Sequence, residues 1–137
     1  MSFTFFDHTG DIAVNLSAPT AQGLFSTAAL AFAEAISDTS RVEAKVTRPI
    51  RAFGDDLADV LNRFLTELLV IFDEERLLLP HVAIHELDEH GVTATAAGEK
   101  YDAERHEGRT ELKAVTYHAL KAEKTADGWR ATVVFDV

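Results

Sequence analysis

"ELKAVTYHALKAEKTADGWRATVVFDV", residues 111–137, decides how this chain folds. The Asp127-Gly128 pair within it is a hairpin signal, because both residues tolerate the positive φ angles of tight turns. Its flanks, "ELKAVTYHALKAEK" and "WRATVVFDV", read as strands. A turn centred near Asp127 sets opposite one another residues whose numbers sum to about 253. Asp136 then faces Tyr117 or His118, and Val137 with its free α-carboxylate follows beside it. The last residues are expected against the "KAVTYH" strand, not trailing into solvent.

Upstream, residues 3–6 are apolar enough for a short strand. "DIAVNLS", residues 11–17, alternates, with Ile12, Val14 and Leu16 on one side and Ala13 and Asn15 on the other, as in a half-buried strand. Thr20 is a candidate N-cap, and Leu24, Ala28, Ala31, Phe32 and Ala35 recur at helical spacing, which predicts a helix over about 20–37. Residues 41–53 alternate again, with Val42, Ala44 and Val46 inward; Pro49, which has no N–H, marks an edge strand or a break. "DDLADVLNRFLTELLVIFDEE", residues 55–75, is the clearest helix: Leu57, Val60, Leu61, Phe64, Leu65, Leu68 and Phe72 share one stripe. Asp55 and Asp56 stand at its N-terminal end, where carboxylates favour the helix dipole.

Val82 and Ile84 after Pro80, and "VTATAAG" at 92–98, predict two further strands, and "EKYDAERHEGRT" at 99–110 reads as a loop. The order β-β-α-β-α-β-β-loop-β-β implies the α+β class: two helices packed on one face of a mostly antiparallel sheet, in a single two-layer domain over 1–137.

A chain of 137 residues buries about two-thirds of the surface it exposes when unfolded. Hydrophobic and charged contents of 47% and 26% are ordinary for a soluble globule. There is no apolar run of about 20 residues, no signal-peptide pattern and no cysteine, so a cytoplasmic protein is expected and no membrane association. The net charge is −10 and the pI near 4.9. Nucleic-acid affinity comes largely from Lys and Arg neutralising phosphates, so direct nucleic-acid binding is expected to be weak or absent.

Three clusters are left over from core packing: Asp7 to Asp11, Glu99 to His106, and Lys113 to His118 with Asp136. The first and third meet if the N-terminal strand pairs near the C-terminal one. Carboxylates converging at a strand end suit a hard cation such as Mg²⁺ or Ca²⁺, and a nearby histidine leaves zinc or manganese open. The same residues also have plainer readings. Asp7 and Asp11 fit turn or cap positions, Gly10 a backbone bend, His118 a hydrogen-bonded structural residue and Lys113 a solvated strand residue. Enzyme templates fit badly: no Gly-rich phosphate loop, GxSxG elbow or HExxH stands in the chain.

Taken together, five ordered stretches resemble the archease family across essentially the whole chain. "FDHTGDI" resembles the family's "DHTADI" signature, with Gly10 where alanine is usual. "LNRFLTELLVIFD" resembles its second-helix motif, with Phe64 where tryptophan is frequent. "GEKYDAERHE", "ELKAVTYHAL" and the terminal "VVFDV" match three more. The resemblance implies a non-enzymatic protein cofactor of RtcB-type RNA ligases, which join RNA ends in tRNA splicing and RNA repair. Such a cofactor promotes the ligase's guanylylation with GTP, supports multiple turnover and broadens nucleotide use. The resemblance also implies an acidic site for a divalent metal ion (Ca²⁺, Mg²⁺ or Mn²⁺), with Asp11, Asp136 and the α-carboxylate of Val137 as oxygen donors. Lys113 matches a functionally important family lysine, and His8, Glu99, His106 and His118 match further motif positions. Two other classes compete: a metal-dependent hydrolase of nucleotides or phosphoesters using the same acids, and a general chaperone or interaction module.

Overall fold

Two helices and eight strands make up the computed structural model, which describes residues 1–137. The N-terminal hairpin joins β1 (Ser2–His8) to β2 (Asp11–Ala18) through Thr9 and Gly10. Both turn residues have positive φ, 45° and 89°, as the two-residue turn that matches strand twist requires. Glycine adopts this region freely, whereas the β-branched Thr9 does not.

Helix α1 (Ala21–Ile36) starts where Thr20 accepts the Gly23 N–H at 3.0 Å. Helix α2 (Leu57–Glu75) starts where Asp56 accepts the Asp59 N–H at 2.8 Å. It stops at Arg76, whose backbone is left-handed and whose guanidinium lies 4.4 Å over the Phe72 ring. Between the helices runs β3 (Val46–Phe53), and after them β4 (Leu77–Asp88) and β5 (Gly91–Lys100). A loop leads to the two-residue β6 (Ala114–Val115), then β7 (Lys121–Thr125) and β8 (Gly128–Asp136).

The class is α+β and every strand pairing is antiparallel, as the sequence predicts. The strands divide between two sheets, where one was expected. One has the order β1-β2-β8-β6, with β7 also paired to β8; the other has the order β3-β5-β4. Helix α1 packs on β4 of one sheet and β2 of the other, and α2 packs mainly on β3. A continuous core joins them, including Val14, Phe25, Ile50, Phe64, Leu78 and Phe135. Each large side chain buried there contributes about 1.5–3 kcal/mol. No helix is long and apolar enough to cross a membrane.

Element boundaries differ from expectation in three places. The strand expected from residue 41 begins at Val46, because the chain turns between Thr39 and Val42, where the Val42 N–H bonds Thr39 O, and residues 42–45 lie outside any strand. Val42 is buried there, but Ala44 faces out. Strand β4 starts at Leu77 and carries Pro80 inside it, at a register shift between Leu78 and His81; β4 is an edge strand, where proline is tolerated. The segment "EKYDAERHEGRT" is a loop only from Tyr101, since Glu99 and Lys100 end β5.

The last hairpin keeps the expected register near its turn, from Lys121 opposite Thr132 to Thr125 opposite Gly128. The turn residues are Ala126 and Asp127. Gly128 opens β8 with φ 140°, where a Cβ would stand 2.5 Å from the Ala18 carbonyl oxygen. Beyond Lys121 the register slips: Thr116–Leu120 bulge outward against Val133–Val134. Val115 therefore faces Phe135, and Asp136 faces Ala114, instead of Tyr117 or His118.

A carboxylate row at one end of the five-stranded sheet

Strand order decides which of the sequence-predicted residues meet. His8 pairs with Asp11 across the first hairpin, and the β2–β8 ladder, ending at Ile12 opposite Phe135, sets Asp11 beside Asp136. Asp136 in turn pairs with Ala114, and its carbonyl accepts the Lys113 N–H at 2.8 Å. One end of the sheet thus carries His8, Asp11, Asp136 and the start of the "KAVTYH" segment side by side, drawn from residues over a hundred positions apart. Both aspartates and Val137 are half-buried, while Lys113 and His118 are exposed. His118 reaches the row through the bulge: its ring meets that of His8 edge-on, with centroids 4.7 Å apart.

Neither aspartate has a salt-bridge partner, and Lys113 pairs with no carboxylate. These charges are therefore available to something outside the chain. No group of three or more His, Asp or Glu side chains is set around one point for a metal ion. The carboxylates that the row brings together are those of Asp11 and Asp136. Hard, anionic oxygens of this kind are the ligand type that Ca²⁺ or Mg²⁺ takes.

The bulge that delivers His118 is held from α2. Asn62, 3% exposed, donates from Nδ2 to Val115 O at 3.1 Å and Thr116 O at 2.9 Å, while its Oδ1 accepts from Thr66 at 3.3 Å. Thr116 Oγ1 donates to Val134 O and accepts the His118 N–H. Tyr117 reaches back to donate to Asp59 Oδ1 at 2.8 Å. Asp59 also accepts the Asp55 N–H and bonds Arg63, and these donors hold its carboxyl below the usual range; the hydrogen bond to Asp59, then burial and the Asp59 charge, push the Tyr117 phenol up. The sequence reading missed Asn62 and Asp59. The available signal was an asparagine within the apolar run Val60, Leu61, Phe64, Leu65, where a polar side chain must find partners if buried.

Glu99 and His106 do not join the row. They are buried together at the end of β5, 5% and 2% exposed. The Asp102 N–H donates to His106 Nδ1, so the ring proton sits on Nε2 and is donated to Glu99 Oε1 at 2.8 Å. Lys45 and Arg105 stand 3.4 and 3.2 Å from the carboxylate, and Tyr101 stacks on the imidazole. Burial pushes the Glu99 carboxyl up, but His106, the Glu43 backbone, Arg105 and Lys45 outweigh it and hold it below the usual range. The geometry is that of a strut fastening the 101–113 loop to β5.

The family model for the archease protein family matches residues 3–137. The chain is 37% identical to the protein archease of Methanosarcina acetivorans, over 98% of this chain and 95% of that protein. It is 39% identical to the protein archease of Pyrococcus abyssi, over 96% of each. Among solved structures it resembles the solution structure of Methanobacterium thermoautotrophicum protein 1598, with TM-score 0.77, 34% identity and 98% of each chain covered. It shares its fold with a Thermotoga maritima protein described as an archease, possible chaperone, with TM-score 0.66, 22% identity, and 96% and 94% of the two chains covered.

Proposed function

The chain belongs to the archease family, and from that premise we propose that it is a protein cofactor of an RtcB-type RNA ligase, itself without catalytic turnover. It promotes the ligase's GTP-dependent guanylylation and multiple turnover, in tRNA splicing or RNA repair. The observation that carries this reading is the row at the sheet end, where Asp11 and Asp136 stand together without a cation of their own.

In this reading Asp11, Asp136 and the α-carboxylate of Val137 hold a divalent cation. When bound, the ion neutralises phosphate charge as a Lewis acid. The rest falls to the chain's own groups. The exposed Lys113 ammonium, tethered by its N–H to Asp136 O, offers a positive charge to a phosphate oxygen. The His8–His118 contact fixes the rim of the row. A sheet end with half-buried anions docks at a nucleotide site without a broad basic surface, which agrees with the net charge of −10.

The test is ligase turnover with GTP and broken RNA, with and without this protein. Wild type is expected to raise turnover well beyond a single cycle. Asp11→Ala and Asp136→Ala are expected to abolish the stimulation while far-UV circular dichroism stays unchanged. Normal stimulation by both variants refutes the role of the row, and turnover of nucleotide or phosphoester by the protein alone makes it a hydrolase instead.

A further inference from the structure

Strand β1 has a hydrogen-bonded neighbour on one side only. In a hairpin closed by a two-residue turn the closing pair exchanges both backbone bonds, and the pairs then alternate. His8, Phe6, Thr4 and Ser2 therefore turn their N–H and C=O toward β2, and Phe3, Phe5 and Asp7 turn theirs away. No other backbone group takes up those outward N–H groups.

Other edges of this protein are blunted. Strand β3 carries Pro49 between Arg48 and Ile50, with Arg51 following. Strand β4 carries Pro80 and two register shifts. Strand β1 has an unbroken register over seven residues, no proline and no lysine or arginine, and it leaves Phe5 and Phe6 37% and 38% exposed. Edges left so are templates for another strand. A groove of about 390 Å³ opens there, lined by Phe5, Asp7, Ile12, Glu34, Ala35 and Arg109 among others. Arg109 is paired with Glu34 at 2.7 Å, which leaves Asp7 as the groove's unpaired charge.

We propose that β1 is a docking edge for an extended segment of a partner protein in which basic and apolar residues alternate. The segment continues the sheet by bonding to the backbone of Phe3, Phe5 and Asp7. On the face of Phe5 and Asp7 its basic side chains meet Asp7 and lay their methylene stems over Phe5, and on the opposite face its apolar side chains pack on Phe6. This gives Asp7, which the sequence leaves between a turn residue and a site residue, a role of its own. A second copy of this chain fits poorly, since it brings a strand with no lysine or arginine and a further net charge of −10. Because β1 runs straight into the turn before Asp11, a docked segment ends beside the carboxylate row. The inference stands on the edge itself and not on the ligase reading.

The test needs no ligase. The ¹⁵N-labelled full chain is titrated with a capped peptide of alternating lysine and valine, seven residues long, and with its glutamate counterpart. The lysine peptide is expected to shift the amide resonances of Phe3, Phe5 and Asp7 saturably, and the glutamate peptide to leave them in place. Phe5→Pro removes an outward N–H and spares the ladder to β2; Asp7→Asn removes the charge. Each is expected to weaken binding at least fivefold with the thermal midpoint nearly unchanged. Where Phe5→Pro alone lowers the midpoint, Asp7→Asn decides. Equal response to both peptides, no response to either, or wild-type affinity in Asp7→Asn overturns the proposal. So does concentration-dependent broadening of the β1 amides without peptide, which assigns the edge to a second copy.

Discussion

Thr9 sits at φ 45°, a region that costs a non-glycine residue about 1–2 kcal/mol. Asn-Gly is the preferred pair for a turn with both central residues at positive φ. Thr9→Asn is therefore expected to raise stability by about 0.5–1 kcal/mol in urea unfolding, despite losing the 3.3 Å contact of Thr9 with His8. Glu99 makes a prediction in pH. Its carboxyl is depressed in the folded state, so its stabilisation is present above the unfolded value of about 4.3 and is lost as pH falls through the lower folded value. Glu99→Gln is expected to cost about 1–3 kcal/mol at pH 7, with the gap to wild type closing below about pH 4 in thermal melts. At this scale the sequence was legible where a residue's role is local. Thr20 as a cap and Gly10 as a bend followed from their neighbours alone. The burial of Glu99 against His106 did not, because its partners arrive from residues 43–45, 102 and 105–106 through tertiary packing.

Helices were the most legible elements, since a 3.6-residue stripe is visible within one segment. Strands were legible in kind but not in extent. The break between β6 and β7 is set by Asn62 from α2, a side chain 53 positions away from the carbonyl it binds, and by Ala119 turning left-handed at φ 52°. No alternation pattern within residues 111–125 carries that information. Asn62→Leu leaves the Val115 and Thr116 carbonyls without their donor inside the protein. It is expected to cost roughly 2–4 kcal/mol and to speed amide exchange at Thr116 and His118, read by hydrogen exchange. Thr20→Ala, by contrast, is expected to cost only about 1 kcal/mol and to leave exchange at the bulge unchanged.

For the whole molecule, the charge balance and the row predict a response to ions. A ligand that binds only the folded state stabilises it by about 2.7 kcal/mol at a hundredfold excess over Kd, or roughly 5–10 °C in a domain of this size. Saturating Ca²⁺ or Mn²⁺ is expected to raise the melting temperature of wild type by that order, and to do so much less for Asp11→Ala or Asp136→Ala. A fusion that masks the α-carboxylate of Val137 is expected to reduce the shift; an unchanged shift removes Val137 from the donors. The meeting of Asp11 with Asp136 was legible only as a condition, that the N-terminal strand pairs near the C-terminal one; the hairpin register extended to Asp136 did not hold. The division into two sheets was not legible, because alternation tells which face a residue takes and not which strand lies beside it.

That meeting also has a cost in time. Strand β2 closes its second ladder only with β8, which begins about 110 positions after β2 ends. At 5–20 residues per second, the first hairpin waits roughly 6–24 s for that partner. Throughout that interval Val14 and Leu16 lack half of their cover, and the paired aspartates do not yet exist as a pair. The chain is most exposed to misassembly in that interval, and Asp11 meets Asp136 only once β8 has been made.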